Sequence, residues 1–190
     1  MGRRKGYDPE HVLTCAMDVF WHKGFAATSI SDLEEATDIN RKSLFLEFGS
    51  KEQLFERVLA HYIDMKAKPD GAPLAVAPPS VDNIRHFFRR IRYTEDELGC
   101  LMALTLLEKE SVPASAYGCA QQMYGGLEDA FFVNLLPAVE SGAIESRAAA
   151  RSLAKFLLNS LYGIIVSGRA GASNASLTRI VKVVLSVLPD

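Results

Sequence analysis

One stretch constrains this chain more than any other. Residues 24–55, GFAATSISDLEEATDINRKSLFLEFGSKEQLF, read as a short helix, a tight turn, a second short helix, a stop and the start of a third. Thr28 is placed to cap the first helix, and Ile30, Leu33 and Ala36 give that helix an apolar face. Asp38 falls where the chain must reverse, and Asp tolerates the left-handed backbone better than most residues. Asn40 caps the second helix, whose Leu44 and Phe48 stand four apart and point at a core. Gly49 stops it, and Ser50 with Gln53 forms a capping box for the next.

The second helix leaves an unusual set outside. With the inward direction set by Leu44 and Phe48, at about 100° per residue, Lys42 and Leu46 lie furthest from the core. Ser43 and Phe45 flank them, and Arg41 stands near the N-terminus. A face that enters the DNA major groove has a use for such a set: cations for phosphate or guanine, apolar groups for thymine methyls. Ordinary bundles also contain turn-and-helix outlines. From spacing alone, a small packed subdomain whose Leu46 meets another part of the protein stays open.

The run resembles the N-terminal domain of the TetR family of bacterial transcriptional regulators. The matching signature is G-F-A-A-T-S-I, then D-L-E-E-A-T-D-I-N-R, then S-L-F-L-E-F-G-S-K-E-Q-L-F, without gaps, within residues 8–62. The resemblance implies a DNA-binding domain over 1–66 with its helix-turn-helix at 28–48. Asn40, Arg41, Lys42, Ser43 and Leu46 are then expected near the bases, and Thr28, Phe45 and Lys51 along the DNA backbone. Two residues depart from the family pattern. The turn residue is usually Gly where this chain has Asp38, a modest cost. Position 45 is usually Tyr, and Phe45 has no hydroxyl to offer a phosphate.

Net charge argues less than the pattern does. The whole chain carries −2, and residues 1–66 hold nine Lys and Arg against eleven Asp and Glu. Attraction to DNA must therefore come from local placement: Arg3, Arg4 and Lys5 in a basic arm, Arg41 and Lys42 on the exposed helix, Lys51 opening the next. Cysteines at 15, 100 and 119, an odd count, suggest reduced thiols rather than a disulfide framework. No apolar run reaches the roughly 18 residues of a membrane span, and MGRRKG leads into no apolar segment. The expected location is the cytoplasm, with no membrane contact.

Beyond the head, residues 67–80, AKPDGAPLAVAPPS, hold four prolines and read as a linker to a second domain over 81–190. That domain reads as helix throughout. Arg85, Arg89, Arg90 and Arg92 are expected as a solvated face paired with Glu95, Asp96 and Glu97, and Pro137 as the end or kink of a helix over 114–136. The expected fold is all-α, with about nine helices in two layers of function: a head that binds DNA and a C-terminal effector-binding and dimerisation domain. An aromatic-rich interior, together with the resemblance, points to a pocket for an apolar or aromatic effector lined by Phe87, Phe88, Ile91, Leu104, Met123, Tyr124, Leu127 and Phe131. The last two helices carry more apolar width than one core needs. Leu153, Leu157, Leu161, Ile164, Ile180 and Val184 are expected at the interface of a homodimer.

No phosphate-binding, nucleophile-elbow or zinc motif occurs, so neither an enzyme nor a cofactor is expected. Cys119 and Met123 stand four apart, and Cys100 is two from Met102, which keeps a soft-metal-sensing regulator as an alternative although no metal site is assigned. The other alternative is a helical protein-interaction module without DNA binding. Taken together, the reading is a ligand-responsive repressor that binds a palindromic double-stranded operator.

Overall fold

Asp8 accepts a hydrogen bond from the Glu10 amide at 3.1 Å and opens the first helix, α1, Pro9–Ala27, with proline where no amide hydrogen is missed. The structure is a computed structural model that describes residues 7–91 and 99–189. Among those residues every element is helical and no strand occurs, as the all-α expectation requires. The order continues with α2 Ile30–Thr37, α3 Arg41–Phe48, α4 Lys51–Tyr62, α5 Lys68–Gly71, α6 Val81–Arg90, α7 Leu101–Leu107, α8 Ala114–Glu140, α9 Arg147–Arg169 and α10 Asn174–Ser186. The basic arm of Arg3, Arg4 and Lys5 lies outside the described residues, as do Arg92, Glu95, Asp96 and Glu97.

Val12, Ala16, Met17 and Phe20 form the buried face of α1. At Gly24 the backbone takes φ +79° and ψ 171°, a combination open to glycine and little else, so the helix bends and a last short turn follows. The cap of α2 is Ser29 and not Thr28. The Ser29 hydroxyl accepts from the Asp32 amide, and the Asp32 carboxylate accepts from the Ser29 amide at 2.8 Å. Asp38 adopts the left-handed conformation between α2 and α3, with φ 53° and ψ 31°. Phe20, Phe25 and Phe55 pack ring to ring, and Leu33, Leu44, Phe48 and Val58 are buried as well.

Contacts divide the chain into two units, Met1–Lys66 with Cys100–Gln121, and Ala67–Gly99 with Gln122–Asp190. The C-terminal domain expected over 81–190 thus cedes Cys100–Gln121 to the head. The reason is apolar: Leu101, Met102 and Ala103 of α7 are buried where that helix packs on α1 and α4. Periodicity says that LMALTLL must be covered, and is silent on what covers it.

In the second unit, Ile84, Phe87, Phe88, Phe131, Leu135, Leu157, Leu158 and Ile164 form one core. Asn134, 1% exposed, sits at its edge with both polar atoms committed. Its amide donates to the carbonyls of Leu74 and Ala130 at 2.9 Å, and its carbonyl accepts from the Ser80 amide at 3.0 Å and from the Asn83 side chain at 2.9 Å. Residues 67–80 are therefore no free linker. They form α5 and a 3-10 turn, Ala72–Ala75, whose Leu74 is buried against α6 and α8. Arg85 turns to the end of α10, donating to the carbonyls of Leu185, Leu188 and Pro189, and so leaves the solvated arginine face. Pro137 lies inside α8, which runs on to Glu140.

Four of the six residues of the expected dimer stripe face inward. Leu157, Leu161, Ile164 and Val184 are buried in their own core, Leu153 is half-buried, and Ile180 alone of the six is exposed. The outward apolar residues of the two helices are Phe156, Val166, Ile180 and Val183, with Val187 just past the end of α10. Both faces of α9 and α10 are apolar, so spacing identifies two stripes without ranking them.

Candidate nucleic-acid interface

α3 is fastened from three sides. The Asn40 side chain accepts from the Ser43 amide at 3.0 Å, and the Glu34 carboxylate accepts from the Arg41 amide at 2.5 Å. Leu44 and Phe48 anchor the inner face in the core of the head. At the far end the Arg57 guanidinium lies 4.6 Å from the Phe48 ring and donates to the Glu47 carbonyl at 3.2 Å. The Tyr7 hydroxyl donates to the Glu47 carboxylate at 3.2 Å, which brings the start of the described chain to the same helix.

The outer face is free of the rest of its unit. Arg41 and Lys42 are exposed and Leu46 is 86% exposed, so Leu46 is not packed into its own unit. Ser43 and Phe45 are half-buried, and the Arg41 guanidinium stacks over the Phe45 ring at 5.2 Å. Lys51, at the start of α4, carries its ammonium 4.4 Å above the Phe25 ring. Burial there pulls its pKa down, against the opposing pull of Glu52, Glu108 and Asp32. Together these residues put two exposed cations and one large apolar group on the outside of a helix whose backbone is held.

Thr28 is a correction. It is 2% exposed, and its hydroxyl donates to the Gly24 carbonyl at 2.6 Å, so it closes the bend in α1 and has no hydroxyl to spare for a phosphate. Three residues missing from the sequence reading shape the site: Ser29, Glu34 and Glu108. Ser29-Ile30-Ser31-Asp32 does spell a capping box, which could have placed the helix start one residue later. Glu34 and Glu108 act at a distance along the chain that no local signal marks.

Asp32 gives a pH prediction. The hydrogen bond from Lys23, at 2.6 Å, and then those from the Ser29 amide and hydroxyl, lower its carboxyl from 3.8 to about 2. The folded value lies below the unfolded one, so this contribution is whole above about pH 4 and disappears as pH falls toward about 2. Asp32→Asn is expected to flatten that limb of the acid unfolding curve followed by circular dichroism. A variant with the same acid limb as the native chain refutes the assignment.

Comparison with known proteins settles the family. Residues 12–58 match the model described as bacterial regulatory proteins, tetR family. The chain is 30% identical over 194 residues to the HTH-type transcriptional repressor ComR of Escherichia coli (strain K12), covering 100% of this chain and 92% of that protein. The chain belongs to the TetR family of bacterial transcriptional regulators. A further relative, the uncharacterized HTH-type transcriptional regulator YezE of Bacillus subtilis (strain 168), is 30% identical across 99% of this chain and 100% of its own length. Among solved structures, a cysteine mutant of the TetR family transcriptional regulator CifR, complexed with 26-bp double-strand operator DNA, superposes with a TM-score of 0.86 at 29% identity. That match covers 98% of this chain and 100% of CifR.

The residues expected around an effector fall into three groups in this TetR family member. Phe87, Phe88 and Phe131 pack on one another with centroids 5.4 to 5.7 Å apart and are core. Ile91, Tyr124 and Leu127 lie half-buried against that core, Tyr124 meeting the Tyr162 ring at 5.2 Å, and Met123 is half-buried beside them in sequence. Leu104 is half-buried on α7, in the head. A surface groove of about 250 Å³ in the second unit contains none of the eight; Ser80, Asp82, Arg85, Pro137 and Ser141 are among its lining. Among the described residues no group of three or more His, Cys, Asp or Glu is placed to hold a metal, and no helix is long and apolar enough to cross a membrane.

Proposed function

We propose that this regulator is a repressor that binds a palindromic operator as a homodimer and leaves it when a small apolar or aromatic ligand binds the second unit. The outer face of α3 carries the reading: two exposed cations and Leu46 on a helix held by Asn40, Glu34 and the core. The operator complex of the similar CifR supports it. Arg41, Lys42, Ser43 and Leu46 are the base-proximal residues, with the side-chain amide of Asn40 beside them; Phe45 and Lys51 run along the backbone. A two-fold pair of such heads reads half-sites about one helical turn apart.

Pairing is supported by the outward apolar residues of the last two helices. Phe156 and Val166 on α9, and Ile180 and Val183 on α10 with Val187 just past its end, offer two stripes for a four-helix bundle with a second copy. The half-buried Ile91, Tyr124 and Leu127 border the aromatic core and, with half-buried Met123 next to Tyr124 in sequence, are the residues for a ligand to reach. A ligand that releases DNA has to bind the released form better, and a coupling of about 1–3 kcal/mol corresponds to roughly 5–150-fold in DNA affinity.

Gel shift with the duplex upstream of the chain's own gene tests the reading. Lys42→Ala is expected to weaken operator binding by about 1–3 kcal/mol if Lys42 meets a guanine, and to leave unfolding within about 0.5 kcal/mol of the native chain. No shift by the native chain at low or moderate salt would instead favour a head that docks on protein.

A further inference from the structure

Glu108 stands at the end of α7, 82 residues along the chain from Ala26, and yet its carboxylate closes the bend of α1. One oxygen accepts from the Phe25 amide at 2.7 Å and the other from the Ala26 amide at 3.3 Å. These are the first amides after Gly24, where the bend cuts them off from the carbonyls of the preceding turn. A helical turn restarted by a bend needs an N-cap, and here the cap comes from another helix.

The carboxylate is itself firmly placed. Its backbone amide closes on Leu104 at 3.1 Å, and its carbonyl accepts from Ser111 at 2.8 Å and Val112 at 3.1 Å. α7 behind it is pinned by buried Leu101, Met102 and Ala103. The bend in front of it leads directly to Thr28, whose hydroxyl holds the Gly24 carbonyl, and to Ser29, which caps α2. α2 in turn holds the start of α3 through Glu34.

Resting on the operator-binding reading above, we propose that Glu108 is a positioning residue for DNA recognition: as a cap supplied across the fold, it fixes the bend from which α2 and α3 take their orientation. It touches no DNA. Without it, the two amides seek other partners, the bend samples other conformations, and only a fraction of heads hold α3 in the reading pose. Apparent affinity falls by that fraction.

The sign of the effect separates this role from simple electrostatics. Removing a negative charge from a DNA-binding head should tighten DNA binding everywhere, whereas loss of positioning weakens operator binding alone. The experiment uses the full chain and the tightest duplex that the native protein selects from a random-sequence library, with a scrambled duplex alongside. Fluorescence anisotropy gives Kd, and titration at duplex concentrations far above Kd counts the molecules competent to bind. For Glu108→Ala the expected result is a Kd for the selected duplex about ten-fold weaker, with the competent fraction and the scrambled-duplex affinity unchanged or the latter tighter. Glu108→Gln, which keeps one carbonyl acceptor for the Phe25 amide, should recover part of the loss. Equal or tighter operator binding by both variants overturns the proposal while leaving operator binding itself intact. A reduced competent fraction at unchanged Kd also overturns it, since that is loss of fold. A native chain that selects no sequence overturns both readings.

Discussion

Phe55→Ala is expected to lower the unfolding free energy by about 3–5 kcal/mol, as large an effect as a core truncation in the head should have. The ring is 1% exposed, and it meets Phe20 edge-on and Phe25 at a tilt, each at a centroid distance of 4.9 Å. Removing it takes away the transfer term, opens a cavity between α1 and α4, and deletes two aromatic pairs worth about 0.5–1.5 kcal/mol apiece beyond their area. A domain holds about 5–15 kcal/mol in all, so the variant sits near the edge of folding. Urea unfolding read by circular dichroism checks the figure. Operator binding should fall with the folded fraction, the opposite of Lys42→Ala, whose fold is intact and whose affinity drops. A Phe55→Ala chain within about 1 kcal/mol of native shows that the three rings are not the centre of the head.

Gly24→Ala is the second large effect, and it has two separable parts. Any residue with a Cβ at φ +79° and ψ 171° is strained, by about 1–3 kcal/mol. The new methyl would also stand 2.5 Å from a Glu108 carboxylate oxygen, so that the carboxylate has to swing away and release the Phe25 and Ala26 amides. The swing is easy sterically because the clash is with the end of a side chain. Its cost is the two hydrogen bonds. A double-mutant cycle with Glu108→Ala separates the parts: the backbone strain persists in the double variant, and the penalty from the displaced carboxylate does not appear twice. Strict additivity of the two unfolding energies means that the methyl and the carboxylate do not meet.

How far the sequence carries depends on how local the chemistry is. The caps of α3 and α4 are legible because Asn40 with Ser43, and Ser50 with Gln53, are three residues apart and complete the bond themselves. The left-handed Asp38 follows from the need to reverse within a few residues. The start of α2 is one residue late in the structure because Thr28 and Ser29 both suit a cap, and only the Asp32 carboxylate chooses between them. The rest requires partners far along the chain. LMALTLL announces that it must be covered without naming α1 and α4, and Glu108 reads as a surface acid until the Gly24 bend is placed beside it. In α9 and α10 the difficulty is different. Leu157 and Phe156 are neighbours on a helix with two apolar sides, and which one is inside depends on Phe88, Phe131 and the rest of the core.

The same division tells a protein engineer where the scissors go. Because α7 and the turn after it belong with the head, that unit of the regulator is written in two separated passages of the gene. Transplanting residues 1–66 alone onto a foreign sensor would leave Phe25 and Ala26 uncapped and the flank of α1 and α4 bare. An exchange of specificity has to carry Cys100–Gln121 along, or rebuild an equivalent patch in the recipient.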